Sequence, residues 1–221
     1  MAELYLIRHA QASFGADNYD LLSDLGHVQS SLLGQYFAQL HNSFDCVITG
    51  DMLRHKQTAK GLTDATSVGT VKTDAAWNEF DFDSIVSFYL KMYPEQKPGE
   101  SAPRSDWYKV LRNAMIAWSN NQIDNPTETW DAFTTRVNEG SQRILQSDYK
   151  HLALVTSGGA MAIFMMHLFN LPVEQAIGLN LQIKNTSVSK FYFNKKGFQL
   201  HSFNDVPHLN TSQHLSKITY S

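Results

Sequence analysis

The sequence predicts an α/β fold: a three-layer sandwich with a mostly parallel central sheet and a small helical insertion over the C-terminal ends of the strands. Two patterns support this prediction. Short apolar runs without polar alternation recur along the chain, which is typical of strands buried on both faces of a sheet. Segments with helical periodicity separate these runs, as crossovers between parallel strands require. The 221 residues, 43% of them hydrophobic, suffice for one large core.

The first third of the chain alternates strand and helix. Residues 3–7 form an apolar run that ends in polar residues, which predicts a buried strand and its exit loop. Ser23 is the predicted N-cap of an amphipathic helix that extends to about Leu40. The elements predicted after it are strands at 46–49 and 68–73 and, between them, a helix over 53–62.

The composition changes between about residues 75 and 125, where aromatic residues cluster and three prolines interrupt the middle. We predict that this segment is a helical cap inserted into a single domain of residues 1–221, because no flexible linker flanks it. The elements predicted beyond it are a helix over 130–145, a strand at 151–156, a helix over 160–169, a hairpin with arms at 187–193 and 198–203, and a loose tail over the last dozen residues.

Charge and composition argue against several classes of function. The net charge is −3 and the eighteen Lys and Arg are scattered, so the electrostatic footprint of a nucleic-acid binder is missing. The longest apolar stretch, residues 160–169, is too short to span a bilayer, so no membrane association is expected. Cys46 is the only cysteine, is expected to be buried and fits a reducing compartment. Without a signal-peptide pattern at residue 1, we expect a cytoplasmic protein, of an oligomeric state that the sequence does not indicate.

Polar groups that suit a phosphate follow the predicted strands. Arg8 and His9 come directly after the first strand, Arg54 follows the second, and Glu79 follows the third. The carboxyl ends of parallel strands meet at one edge of a sheet, where open α/β proteins bind their ligands. Arginine forks bind phosphate oxygens, and Gly158, at the helix start after the fourth strand, adds backbone donors for an anion. The sequence therefore predicts one phosphate-binding cleft.

The residue types in this cleft also indicate a reaction. A phosphoryl group needs a nucleophile, positive charge around its oxygens and a proton for the leaving oxygen. His9 is the expected nucleophile, because Arg8 and Arg54 lower the pKa of its imidazole until a dianion arrives. Glu79 is the expected general acid and base, and Asp81 is the next candidate in the same acidic loop.

Four segments resemble signatures of the histidine phosphatase superfamily, the phosphoglycerate-mutase-like proteins. Residues 6–10, Leu-Ile-Arg-His-Ala, are similar to its Arg-His-Gly or Arg-His-Ala motif, and residues 47–59 to its Ser-x-Leu-x-Arg-x-x-x-Thr-Ala segment, which supplies the second arginine. Residues 22–29 resemble the opening of its first helix, and residues 77–80 its acid-bearing Leu-Asn-Glu stretch. The resemblance implies a phosphohistidine mechanism on His9 without a metal or an organic cofactor.

The sequence departs from this family at two places. Where the family carries a second histidine, before the glycine after the fourth strand, this chain has Ser157, which donates a hydrogen bond but adds no positive charge. Loss of one such donor typically costs about 10²–10³ in rate, so Ser157→His is expected to raise turnover. The mutase branch has Glu and Asn after its Arg-His-Gly, where this chain has Gln11 and Gly15. Gln11 and Ser13 remain candidate donors to the phosphate.

These residues favour hydrolysis of a phosphomonoester, with a small phosphorylated metabolite as the substrate. Three alternatives stay open: a weak or inactive pseudoenzyme that binds a phosphorylated ligand, which Ser157 motivates; a phosphoprotein phosphatase; and a phosphoglycerate mutase, which Gln11 disfavours. Among the remaining histidines, His55 carries no signature and is expected at the surface or packed in the interior. His208 could fold back near the cleft, but we expect no catalytic role for it.

Overall fold

The computed structural model describes residues 1–13, 18–40 and 43–220, except for the side chain of residue 104. Within these ranges the strands all belong to one sheet. They are β1 (Ala2–Arg8), β2 (Ser43–Thr49), β3 (Ser67–Thr73), β4 (His151–Thr156), β5 (Val188–Asn194) and β6 (Gly197–Asp205). The sheet order is β3-β2-β4-β1-β5-β6.

The same ranges contain seven α-helices. None of them is long and apolar enough to cross a membrane. They are α1 (Asp24–Gln39), α2 (Leu53–Ala65), α3 (Phe82–Met92), α4 (Arg104–Ser119), α5 (Trp130–Leu145), α6 (Gly158–Phe169) and α7 (Val173–Asn180).

The pairing of the strands confirms the predicted α/β fold with a mostly parallel sheet. The strands β3, β2, β4 and β1 run parallel to one another. The hairpin of β5 and β6 adds two antiparallel strands beside β1. Because β2, β4 and β1 are neighbours with the same direction, the loops after these three strands lie side by side at one edge of the sheet.

The sheet is covered on both faces, and β1 shows why. Its side chains alternate between two separate cores: Leu4 and Leu6 belong to one hydrophobic cluster, and Tyr5 and Ile7 to the other. The cluster around Ile7 contains residues of α1 and α2, whereas the cluster around Leu4 contains residues of α3 to α7. The result is the predicted arrangement of three layers, in which Cys46 is fully buried, also as predicted.

The aromatic segment packs onto the larger of these two cores. It comprises a short 3-10 turn at Ala75–Trp77 followed by α3 and α4. The Trp118 ring of α4 stacks on Phe133 of α5, with ring centroids 5.7 Å apart, and lies 5.0 Å from the ring of Phe80. The cluster that holds these rings also holds Leu4 of the sheet, which supports our interpretation of residues 75–125 as a cap within one domain.

The structure corrects the prediction made from the sequence for the C-terminal end. The last dozen residues were expected to be a loose tail, and this is wrong for the part that is described. Gln29 donates from its Nε2 to the Lys217 carbonyl at 2.7 Å, and the Asn185 backbone N–H donates to the Thr219 carbonyl at 2.8 Å. Polar groups that lie far away in the sequence hold the tail in place. The tail itself has no hydrophobic periodicity from which this could be predicted. Two smaller differences are that α6 begins at Gly158 and that α7 was not predicted.

Close contact between α1 and α2 depends on two glycines and gives a test of the packing. A Cβ added to Gly34 would lie 2.0 Å from the carbonyl oxygen of Gly61, and because that atom is backbone, the helices would have to separate. We expect Gly34→Ala to lower the free energy of unfolding by about 1–3 kcal/mol in urea denaturation. The control is Gly178→Ala in α7, where a Cβ meets nothing within 4 Å and should stabilise by up to about 1 kcal/mol. Equal effects of both substitutions would contradict the tight crossing.

Candidate active site

The loops after β1, β2 and β4 are joined to one another by backbone hydrogen bonds. The N–H of His9 donates to the Thr156 carbonyl at 2.8 Å, and the N–H of Gly50 donates to the Val155 carbonyl at 3.1 Å. The end of β4 thus holds the residues that follow β1 on one side and β2 on the other. This shared edge brings residues 8–9, 50–54 and 157–159 into one site.

The local contacts of His9 determine the tautomer and the charge of its imidazole. Its Nδ1 lies 2.7 Å from the Ala10 carbonyl oxygen, and because a carbonyl only accepts, Nδ1 carries the proton and Nε2 keeps its lone pair. Burial, and after it the charges of Arg54 and Arg8, hold the pKa of His9 well below its usual 6.5. His9 is therefore a neutral imidazole at neutral pH, as the sequence predicts.

The structure places both predicted arginines in the electrostatic environment of His9, and both are almost completely buried. Arg8 donates from Nη1 to the carbonyls of Ile183 and Tyr220. Arg54 donates from Nη1 to Asp20 at 2.7 Å. In both arginines the Nε atom is buried and has no hydrogen-bond partner among the residues that the structure describes. Unpaired buried donors need an acceptor, and an anion beside His9 would provide one.

Glu79 lies at the N-terminus of α6. Its Oε2 accepts from the Gly159 N–H at 3.0 Å, and its Oε1 accepts from the Phe80 N–H at 3.2 Å. Desolvation raises the pKa of this carboxyl group above its usual 4.5, against the opposing effects of the Gly159 N–H and of Arg54 and Arg8. The site thus combines a carboxyl group whose pKa is raised with an imidazole whose pKa is lowered, the pattern of an acid and a nucleophile.

Asp81, the second candidate for the acid, has a structural contact instead. It is the N-cap of α3, and its side chain accepts from the Ser84 N–H at 3.0 Å. This contact favours Glu79 as the acid.

Ser157 stands at the N-cap position of α6, but its hydroxyl makes no capping hydrogen bond. Its Oγ lies 2.6 Å from Nε2 of His55, the residue after Arg54 on α2. The centroid of the His55 ring lies 5.6 Å from that of His9. Sequence reasoning gave His55 no role, and the one available signal was its place directly after the second arginine. A histidine ring from α2 thus already contacts position 157, and the expectation that Ser157→His raises turnover stays a prediction.

The two donors predicted from the first loop hold that loop to neighbouring elements. The Gln11 Oε1 accepts from the Ser23 hydroxyl at 2.8 Å, and the Ser13 N–H donates to the Leu21 carbonyl at 2.8 Å. Within the described ranges neither side chain is hydrogen-bonded to His9, so a phosphate contact by Gln11 or Ser13 stays a prediction. Gly15, which bears on the mutase alternative, lies outside the described residues.

Gly158 has no side chain, so only its backbone lies beside Arg8. A Cβ at this position would lie 3.5 Å from the Arg8 Nε and 2.5 Å from the Asn180 side-chain oxygen. The start of α6 therefore approaches the guanidinium as closely as a helix can, which fits the predicted backbone donor at Gly158.

The C-terminal segment contacts the residues that support the backbone of His9. The Asn185 side chain donates to the His9 carbonyl at 3.1 Å, and its oxygen accepts from the Thr219 hydroxyl at 2.9 Å. His208 lies one contact further out, with its Nε2 2.8 Å from the Thr186 hydroxyl, and desolvation lowers its pKa to about 4. His208 thus belongs to the support of the site, as expected of a residue without a catalytic role.

The sequence matches the family described as the histidine phosphatase superfamily (branch 1) over residues 4–206, and the chain belongs to this family. It is similar to a protein provisionally named phosphoserine phosphatase 2 from Hydrogenobacter thermophilus, at 23% identity in an alignment 215 positions long that covers 88% of this chain and 96% of that protein.

Solved structures share the fold over nearly the whole chain. The α-ribazole phosphatase from Shigella flexneri has a TM-score of 0.66 at 20% identity and covers 92% of this chain and 96% of its own. The mycobacterial glucosyl-3-phosphoglycerate phosphatase in complex with inorganic phosphate has a TM-score of 0.64 at 18% identity, over 93% and 98%. At these identities the likeness establishes the common fold.

The support behind His9 can be tested at Thr219. Its hydroxyl accepts from the Gln29 Nε2 and donates to the Asn185 Oδ1, both at 2.9 Å. Because Thr219→Val keeps the shape but leaves the Asn185 Oδ1 without its donor and Gln29 with the Lys217 carbonyl as its one remaining acceptor, it should lower the free energy of unfolding by about 1–3 kcal/mol in urea. Thr135→Val, at an exposed position of α5, should change stability by less than about 0.5 kcal/mol. A loss no larger at Thr219 than at Thr135 would refute a structural role for the C-terminal segment.

Proposed function

We propose that this protein is a phosphomonoesterase that transfers the phosphoryl group of a small phosphorylated metabolite to Nε2 of His9 and then to water. The observation that carries the proposal is the pairing of His9, with its proton on Nδ1, with two buried arginines whose Nε donors are unpartnered. Membership of the histidine phosphatase superfamily and relatives named as phosphatases support it. The buried, unpaired Cys46 fits the cytoplasmic location expected from the sequence.

The reaction proceeds in two displacements. In the first, the His9 Nε2 lone pair forms a bond to phosphorus, the ester P–O bond breaks, and protonated Glu79 gives its proton to the departing alkoxide. Arg8 and Arg54 stabilise the charge on the phosphoryl oxygens. In the second, the Glu79 carboxylate takes a proton from water, the oxygen bonds to phosphorus, and the P–N bond breaks. Phosphate leaves, and both residues return to their starting states.

A small substrate suits the shape of the site better than a phosphoprotein surface. His9 is 5% exposed and Arg54 is 4% exposed. A phosphate group must therefore enter a narrow opening, which favours a metabolite that carries the phosphate at one end. Serine at position 157 keeps a second candidate function open, namely a pseudoenzyme that binds a phosphorylated ligand without turnover.

Trapping phosphate on the protein separates the enzyme from the pseudoenzyme. The wild-type chain should hydrolyse p-nitrophenyl phosphate and yield an acid-labile, base-stable phosphohistidine after rapid quenching. His9→Ala should remove the label and lower the rate by at least about 10³-fold, because the nucleophile is lost. His27→Ala, at an exposed position of α1, is the matched control and should retain full activity. Equal rates for wild type and His9→Ala would rule out the proposed function.

The pH profile follows from the opposite pKa shifts of His9 and Glu79. His9 must be neutral, and since its pKa is lowered, it remains competent well below pH 6.5. Glu79 must be protonated, and since its pKa is raised above 4.5, kcat/KM falls as pH rises through that higher value. We therefore expect no loss of kcat/KM from protonation of His9 until well below pH 6.5, and a decline as the pH rises through the raised pKa of Glu79, measured between pH 4 and 9.

The leaving group isolates the contribution of Glu79. Glu79→Gln should lower kcat/KM, which reports the first displacement alone, by about 10²–10⁴ for glycerol phosphate, whose alkoxide needs a proton. The loss should be much smaller for p-nitrophenyl phosphate, whose phenolate departs without one. Asp81→Asn keeps a good helix cap and should leave both rates near wild type. The same loss on both substrates would exclude Glu79 as the general acid.

A further inference from the structure

His55 reaches from α2 to the end of β4 and pairs with Ser157 inside the site. The Nε2–Oγ distance is 2.6 Å, and both residues are completely buried. The His55 and His9 rings are inclined by 37° at a centroid distance of 5.6 Å. An imidazole and a hydroxyl group therefore form one buried hydrogen-bonded unit beside the nucleophile.

The surroundings of His55 determine which nitrogen carries its proton. Nδ1 has no hydrogen-bond partner among the described residues. It faces Gly50, where an added Cβ would lie 2.2 Å from it. A proton on Nδ1 would leave a buried N–H without an acceptor, whereas a proton on Nε2 is donated to the Ser157 Oγ. The second arrangement is favoured, and it leaves the proton of the Ser157 hydroxyl free for another acceptor.

The proton of the Ser157 hydroxyl can point toward the side of the site that holds Arg8 and Arg54. Ser157 immediately precedes Gly158, whose Cα borders the Arg8 guanidinium, with a built Cβ 3.5 Å from Nε. The two arginines whose charges act on His9, Arg8 and Arg54, each have a buried Nε donor without a partner in the described part of the chain. A phosphoryl group has enough oxygens to accept from all three donors at once.

Burial keeps His55 neutral, so the pair supplies a donor rather than a charge. Desolvation and, after it, the charge of Arg54 on the same helix hold the pKa of His55 well below 6.5. From the end of β1 the ring faces His9, which is also neutral. The groups that meet it from the ends of β2 and β4 are the uncharged Gly50 and Ser157. Glu79, beyond Ser157, is bound to the N-terminus of α6.

We propose that Ser157 contacts the phosphate of the substrate and that His55 is a positioning residue that holds the Ser157 hydroxyl in its donating orientation. A second histidine at the end of β4 would provide this donor alone. Here Ser157, at the end of β4, and His55, on α2, provide it together. This proposal rests on the proposed function and specifies how the same site binds its phosphate.

The competing explanation is that the His55 ring only fills the space beside a small serine. His55→Phe preserves the ring and removes the N–H, whereas His55→Gln retains an N–H near the position of Nε2. Ser157→Ala removes the hydroxyl with little change of volume. A pure space-filling role predicts that the Phe variant behaves as wild type and the Gln variant does not, which is the reverse of what the proposal predicts.

The experiment is a double-mutant cycle on the full chain, with p-nitrophenyl phosphate as substrate and inorganic phosphate as competitive inhibitor. Ser157→Ala and His55→Phe should each raise the inhibition constant of phosphate about tenfold and lower kcat/KM by about 10²-fold. The double variant should be no worse than either single variant, because the two residues act as one unit. His55→Gln should recover at least part of the loss, and thermal unfolding monitors the fold of every variant.

Additive losses in the double variant, or unchanged phosphate inhibition in Ser157→Ala, would overturn the proposal. If His55→Phe does not fold, the cycle is run with His55→Gln, which should have no effect in the Ser157→Ala background; any further loss there counts against the pair. Failure of the proposed function is a separate result, since it would appear as equal rates for wild type and His9→Ala.

Discussion

The site depends on the burial of two guanidinium groups beside one neutral imidazole. Such an arrangement is unfavourable unless each charge finds partners, and the fold provides them from separate places: Asp20 for Arg54, and the carbonyls of Ile183 and Tyr220 for Arg8. These partners satisfy Nη1 of each arginine, and both Nε atoms are buried without a partner among the described residues. Together with desolvation, the same buried charges lower the pKa of His9 and keep its imidazole neutral. The proposed phosphate binding and the proposed activation of His9 therefore have a common physical origin.

The sheet makes this arrangement possible because β4 lies between β1 and β2. Its last two residues bond to the residues after both neighbours, so His9, Arg54 and Ser157 share an edge although they are far apart in sequence. Gly159 adds a second constraint, since a Cβ there would lie 2.1 Å from the Glu79 Oε1. A bare backbone at the start of α6 lets the carboxyl group reach the helix terminus, where its raised pKa suits proton transfer.

Much of this could be predicted from sequence, because strands buried on both faces leave unbroken apolar runs and α/β ligand sites follow strand ends. Arg54 could be assigned only through its motif, since one arginine at a helix start has no pattern of its own. His55 could not be assigned, because its partner Ser157 is 102 residues away and neither residue shows a local signal for the other. The order of the C-terminal segment was missed for the same reason: Gln29 and Asn185, outside that segment, bind it.

The bond between Arg8 and Tyr220 joins residues 212 positions apart, near opposite ends of the chain. During synthesis on the ribosome, the first strand and its arginine emerge long before the segment that Asn185 and Gln29 bind. A nascent chain that has already formed most of the sheet therefore still lacks a carbonyl for Arg8 and a hydroxyl for Asn185. The surroundings of His9 are complete only once residues 219 and 220 have emerged, since these residues supply the partners of Asn185 and Arg8.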